Sequence, residues 1–284
     1  TNHQYMLFFT QKGKCFWMRV FEIPEGSRTS KGRAIQNLIS IEQEDRVKAF
    51  ICTQDLKNED YINSHYVIMA TKKGQVKKTS LEKYSRPRAN GINAITIREG
   101  DELLQAKLTN GNSQIFLAVK SGKAIRFEES KTRPMGRNAS GVRGIRLAND
   151  KDELVGMVSV NDMDTNILVV SQNGYGKRSN LEAYRTTNRG GKGVKTISIT
   201  EKTGDLVTIK NVTDLDDLMI INKSGIAIRI AVSDLRVMGR ATQGVKLINI
   251  KENDSIAAVA KVMKDDEEVE DVNEIEVEDD TIVK

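Results

Sequence analysis

Ile167-Leu168-Val169-Val170 runs through Ser171 into Gln172-Asn173-Gly174-Tyr175-Gly176-Lys177-Arg178. This is an apolar run, a polar turn closed by glycine, and a second run. Asn-Gly at such a junction is hairpin chemistry, because glycine accepts the positive φ that a tight turn between two strands needs. The order recurs along the chain. The runs Met6-Leu7-Phe8-Phe9, Val67-Ile68-Met69-Ala70, Phe116-Leu117-Ala118-Val119 and Leu218-Met219-Ile220-Ile221 lead into Gly13, Gly74, Gly122 and Gly225. A second glycine follows each turn glycine by 17 to 19 residues, at Gly32, Gly91, Gly141, Gly193 and Gly244. Equivalent turn glycines are 48 to 61 residues apart.

Each unit reads as four strands. The first is the apolar run and the second follows the turn. A loop holding the second glycine leads to an alternating third strand, at Ile145 with Leu147, Ile197 with Ile199, and Ile248 with Ile250. An acidic turn then opens the fourth, as in Asp101-Glu102-Leu103 and Asp152-Glu153-Leu154. Four strands in roughly 50 residues make the unit of a propeller blade. The expectation is one all-β, propeller-like domain of about five four-stranded blades over residues 1–263. Its repeats fall at about 5–60, 61–112, 113–163, 164–214 and 215–263, and an acidic tail follows at 264–284. Residues 80–84 and 180–184 read as single helical turns, and residues 56–64 as a polar, exposed loop.

Composition narrows the function. The 284 residues exceed the usual size of one domain, ~100–200 residues. No apolar stretch approaches the ~18 residues of a membrane span, and the first residues have no signal-peptide pattern. A chain that opens on Thr1 reads as a fragment or a processed product. The two cysteines and two histidines show no Cys-x-x-Cys or His-x-x-x-His spacing, which argues against a zinc site. Histidine this scarce argues against a His-based catalytic centre, so no catalytic and no metal-ligating residue is assigned. His65 reads as a loop histidine, and Phe16 and Trp17 as core. Without a disulfide framework the expected compartment is the cytoplasm.

The charge is uneven. Residues 264–284 hold 11 acids and 2 bases, a net of −9, and the body carries +14. A basic body suggests a polyanionic partner. The bases concentrate in the loop between second and third strands, at residues 27–33, 85–92, 131–143, 185–195 and 236–246. These 50 positions contain 16 bases and no acid. The chain average would place about 8 bases and 7 acids there. Equivalent loops of a circular repeat share a rim, where glycine lets a backbone N–H approach a phosphate and Arg or Lys neutralises it. The candidate DNA contacts are Arg28, Lys31, Arg33, Arg86, Arg88, Arg133, Arg137, Arg143, Arg189, Gly190, Gly191, Lys192, Lys195, Arg236, Arg240 and Lys246, with Lys177 and Arg178 from the second strand. A further basic position four residues beyond the turn glycine (Lys78, Arg126, Arg178, Arg229) reads equally as belt or as edge protection. No recognition helix and no interleaving of aromatic with basic residues is present. The expected mode is contact with the backbone of duplex DNA, with little base readout.

Three runs carry a family resemblance: residues 133–147 (RPMGRNASGVRGIRL), residues 172–178 (QNGYGKR) and residues 237–245 (VMGRATQGV). The sequence resembles the C-terminal domain of the DNA gyrase A protein and, more distantly, its topoisomerase IV counterpart. The resemblance implies a β-pinwheel whose neighbouring blades exchange strands, and DNA wrapped on its basic rim. It further implies partners, namely the rest of gyrase A together with gyrase B in an A2B2 enzyme of the bacterial, nucleoid-associated cytoplasm. That enzyme introduces negative supercoils with ATP and Mg2+. Its catalytic residues lie outside this chain, which needs no cofactor of its own. The family's box, Gln-Arg-Arg-Gly-Gly-Lys-Gly, is matched at five of seven positions by Thr187-Asn188-Arg189-Gly190-Gly191-Lys192-Gly193, in the fourth repeat rather than the first. The first repeat looks like the family's second blade, so a first blade is expected to be trimmed or lacking. A propeller scaffold for a protein partner is the competing reading, although the Trp-Asp mark of WD repeats is absent.

Overall fold

The computed structural model describes residues 4–27, 30–251 and 254–263. The first repeat supplies β1 (Tyr5–Thr10), β2 (Lys14–Arg19) and β3 (Val47–Thr53). The second supplies β4 (Tyr66–Thr71), β5 (Gln75–Ser80), β6 (Ile92–Asn93) and β7 (Leu103–Thr109). The third supplies β8 (Gln114–Val119), β9 (Lys123–Glu128), β10 (Val142–Arg143) and β11 (Leu154–Val160). The fourth supplies β12 (Asn166–Ser171), β13 (Tyr175–Asn180), β14 (Val194–Lys195) and β15 (Leu206–Val212). The fifth supplies β16 (Asp216–Asn222), β17 (Ala227–Ala231), β18 (Val245–Lys246) and β19 (Ile256–Met263).

These strands form five antiparallel sheets: β3-β1-β2-β6, β10-β5-β4-β7, β11-β8-β9-β14, β15-β12-β13-β18 and β17-β16-β19. In each, the fourth strand of a repeat pairs with its first, and the first with its second. The short third strand leaves its own repeat and pairs with the second strand of the repeat before it, as Val142↔Val76 and Val194↔Ala124 show. The fifth sheet has three strands among the described residues. The exchanged strands lie three residues ahead of the alternating pairs expected from sequence, and residues 145 and 147 instead pack beyond the hairpin glycine. At Gly74, with φ +77°, an added Cβ would lie 3.0 Å from the Ile145 carbonyl oxygen.

The chain divides into two compact units, one of Thr1–Met163 with Tyr184–Thr196 and one of Asp164–Ala183 with Ile197–Lys284. In the first unit the core between the first two sheets contains Leu7, Phe9, Val67, Met69, Leu81 and Tyr84. The next contains Ile68, Val76, Ile115, Leu117, Ile125 and Phe127. Inside the second unit, Leu168, Val170, Leu218, Ile220 and Ile248 form the equivalent layer. Central strands are covered on both faces. Val76–Thr79, Ala124–Phe127 and Gly176–Ser179 are buried without a break.

The acidic turns have a structural use. Asp45, Asp101, Asp152 and Asp254 accept hydrogen bonds from the backbone N–H groups of Lys12, Lys73, Ser121 and Ser224, each in the hairpin turn of the same repeat. The carboxylate satisfies a donor that the turn leaves open. Helical turns occur at Leu81–Tyr84 and Leu181–Ala183, where sequence places them. Residues 56–64 differ from expectation. Asn58 caps a short helix, α1 (Glu59–Ser64), and Leu56 and the helix's own Ile62 are buried in the core, so the segment is anchored rather than free. His65 follows α1, its ring 4.4 Å from that of Tyr61. Phe16 is core; Trp17 is partly buried and its indole N–H donates to the Tyr84 carbonyl.

Candidate nucleic-acid interface

The loops at residues 85–91, 131–141, 185–193 and 236–244 each end in a positive-φ glycine followed by an exchanged strand. Pairing of that strand ties the loop to the outer edge of the preceding sheet. A second tie is backbone: Met135, Thr187 and Met238 donate to the carbonyls of Lys78, Arg126 and Arg178 at 2.8 to 2.9 Å. The loops therefore occupy equivalent edges of successive sheets.

Within the first unit the loops and the segments that follow them also touch. Thr96 N–H donates to Ala139 O, and the Asn93 amide donates to Asn138 Oδ1 at 3.1 Å. Gly190 N–H donates to Gly144 O, and Arg146 N–H to Gly191 O. Arg189 spans the junction, donating from Nε to Lys131 O at 3.0 Å and from Nη1 to Arg143 O at 3.1 Å. Three basic loops, each taken with the segment that follows it, thus form one continuous edge. In the second unit the loop at 236–244 is held in the same manner, with Ser198 N–H donating to Thr242 O.

Most candidate bases are exposed: Lys31, Arg33, Arg86, Arg88, Arg133, Arg143, Lys192, Lys195, Arg236 and Lys246. Arg137, Arg189 and Arg240 are half-buried, as is Gly190, while Gly191 is exposed. Arg28 lies outside the described residues. Two assignments are corrected. Lys177 and Arg178 are 1% and 7% exposed, because both faces of β13 are covered. Lys177 Nζ donates to Gly239 O, and Arg178 donates to Leu235 O and pairs with Asp214. Neither head is free to meet a phosphate.

The further basic position resolves the same way. Lys78 and Arg126 are buried: Lys78 Nζ is 3.1 Å from the fully buried Glu129 carboxylate, and Arg126 donates to Tyr184 O. Only Arg229 is exposed, and it pairs with Asp217 at 2.7 Å. Lys78 and Arg126 thus face inward and are held by internal partners, while Arg229 is tied to the neighbouring strand. Conversely, sequence reasoning misses Arg98 and Arg146. Both are exposed and line a hollow with Lys73 and Arg143, where Glu99 and Asp101 are the acids. The alternation of Ile145-Arg146-Leu147 is the signal that could have found Arg146, since it turns that side chain outward.

Residues 4–54, 65–110, 114–161, 165–213 and 216–263 match the family described as DNA gyrase C-terminal domain, beta-propeller. The DNA gyrase A protein of Staphylococcus aureus strain MRSA252 is 43% identical over 284 residues, 99% of this chain and 31% of that protein. Its counterpart in strain NCTC 8325 is 43% identical over 270 residues, 94% of this chain and 30% of that protein. The chain thus spans about a third of the length of these curated relatives. Among solved structures, the C-terminal domain of DNA topoisomerase IV superposes with a TM-score of 0.83 at 25% identity, over 97% of this chain and 85% of that one. A DNA gyrase A C-terminal domain gives 0.78 at 23% identity, over 93% and 84%. An all-β chain of five strand-exchanging repeats, matched in every repeat and close in sequence to gyrase A proteins, belongs to the family of DNA gyrase A C-terminal domains.

Proposed function

We propose that this chain binds the sugar-phosphate backbone of duplex DNA along its exposed basic loops, without sequence preference, and wraps the DNA upon them. In the complete enzyme the domain joins the rest of gyrase A together with gyrase B in an A2B2 assembly. There it presents the wrapped segment for ATP-dependent negative supercoiling, while ATP, Mg2+ and the cleavage chemistry belong to other parts. The expected setting is the bacterial cytoplasm.

The observation that carries this reading is the continuous edge in the first unit. Arg86, Arg88, Arg133, Arg143, Lys192 and Lys195 are exposed on these loops and the short strands that follow them, and no acid lies within those segments. Exposed cations on an acid-free edge suit a run of phosphates, whereas a groove for base edges would need an inserted helix or ribbon.

Salt dependence tests the proposal. With about 8–10 phosphate contacts, log affinity falls against log salt with a slope of about −7 to −9. Lys192→Ala with Lys195→Ala should make the slope shallower by about one unit per lost contact, with little change in sequence preference. A parent slope shallower than about −3 would sink backbone binding along these loops.

A further inference from the structure

Two of the basic loops share the sequence Met-Gly-Arg and close on a glycine four residues later: Met135-Gly136-Arg137 before Gly141, and Met238-Gly239-Arg240 before Gly244. Beneath each lies a buried lysine, three residues beyond the turn glycine of the preceding repeat. Lys77 is fully buried, and its ammonium donates at 2.5 Å to the carbonyls of Ala94 and Arg137. Lys177, 1% exposed, donates to the carbonyl of Gly239. The loops that lack Met-Gly-Arg have no such lysine. Under residues 85–91 the equivalent position is Phe16, and under residues 185–193 it is Ile125. Where Ile125 sits, Arg189 fastens the loop through neighbouring carbonyls instead.

We infer that Lys77 and Lys177 are positioning residues for the two Met-Gly-Arg loops, and that seating a phosphate on such a loop is coupled to holding a proton on the lysine beneath it. The inference rests on the DNA-binding reading. Neither ammonium has a carboxylate partner among the described residues; carbonyl oxygens supply its only compensation. Burying an ammonium on carbonyls alone is costly. The charged group that acts on Lys77 is Arg137, and the one that acts on Lys177 is Arg240. The other titratable groups of the first cluster, Cys15 and Tyr84, stay neutral, because burial pushes both well above their ordinary values. Burial first, and then the neighbouring guanidinium, lowers Lys77 to about 7 and Lys177 to about 8.

Each lysine therefore sits at the edge of losing its proton while holding the backbone of the loop whose arginine opposes it. A phosphate on Arg137 or Arg240 cancels that opposition and adds an attraction, so the protonated lysine becomes the favoured form. The charge-assisted bonds to the loop strengthen in step. Binding then takes up protons, and affinity falls as pH rises from the free lysine value toward the higher bound value.

Calorimetric titration of the full chain with a linear duplex of mixed sequence, in buffers of different ionisation enthalpy at about pH 7.5, counts the protons taken up. The expected result is net uptake by the parent. Lys77→Met with Lys177→Met should lose most of that uptake and bind about tenfold more weakly, since each loop loses its charge-assisted tie. Ile125 shows that an apolar side chain fits this position. Should the double variant fail to fold, Arg137→Gln with Arg240→Gln leaves both lysines in place and is also expected to lose uptake. DNA binding with no uptake by the parent, or uptake undiminished in the variants, would overturn the inference and leave the DNA-binding reading standing. No binding by the parent at any salt would remove that reading itself.

Discussion

Lys77 and Lys78 are adjacent on β5 and both are buried, yet their charges are met differently. Lys78 points to the opposite face, where the Glu129 carboxylate lies 3.1 Å away and the Tyr66 ring 4.1 Å away. Lys77 meets only carbonyls. The difference has a consequence for stability. In the unfolded chain Lys77 has its ordinary value of 10.5, and folding lowers it to about 7. Between those values the unfolded state binds the extra proton, so the contribution of Lys77 to stability rises with pH from about 7 to about 10 and is lost as pH falls through 7. Lys177 acts in the same direction from about 8. Thermal unfolding between pH 7 and 9 is expected to show the parent gaining stability relative to Lys77→Met with Lys177→Met as pH rises. Parallel curves for the two proteins would contradict the lowered values. The internal role of such cations was not legible from sequence. Alternation assigns one face of a strand to solvent, and here both faces are buried, so Lys177 and Arg178 read as surface cations when they are internal fasteners.

At the scale of the element, the exchanged strand explains the spacing of the glycines. Gly91, Gly141, Gly193 and Gly244 end their loops immediately before strands of two residues, and all have positive φ. At Gly141, with φ +84°, an added Cβ would lie 2.6 Å from the Val76 carbonyl oxygen, a backbone atom that cannot rotate away. Gly141→Ala is therefore expected to cost roughly 1–3 kcal/mol, from strain in the left-handed region together with a displaced strand. Gly136→Ala, in the same loop, meets nothing within 4 Å and has no positive φ, so its cost should stay within about 0.5 kcal/mol. Denaturant midpoints of the two variants make the comparison, and equal losses would mean that Gly141 is not needed for the close approach. The hairpins, the acidic turns and the basic loops were legible because each rests on local chemistry repeated in register. The destination of the third strand was not legible from periodicity, since the pattern of apolar residues is the same whichever sheet receives it. Only the family resemblance indicated an exchange.

At the scale of the whole molecule the decisive quantity is the separation of charge, with a net of −9 over residues 264–284 and +14 over the rest. The acidic segment follows directly on β19, which ends at Met263 and pairs along its length with β16. A truncation after Met263 thus keeps the last strand of the fifth sheet and removes only residues 264–284. A polyanion joined to the domain that carries the basic loops competes with DNA at an effective concentration that reaches about millimolar for a short connection. Competition of this kind is electrostatic, so it is strongest where screening is weak; the Debye length is ~30 Å at 0.01 M salt and ~8 Å at 0.15 M. Truncation is therefore expected to tighten DNA binding severalfold at low salt, with a gain that shrinks as salt rises. Titrations of both chains at two salt concentrations decide the matter. Equal affinities at low salt would exclude the acids as a competitor for the loops, and loss of folding on truncation would assign the segment a structural part instead.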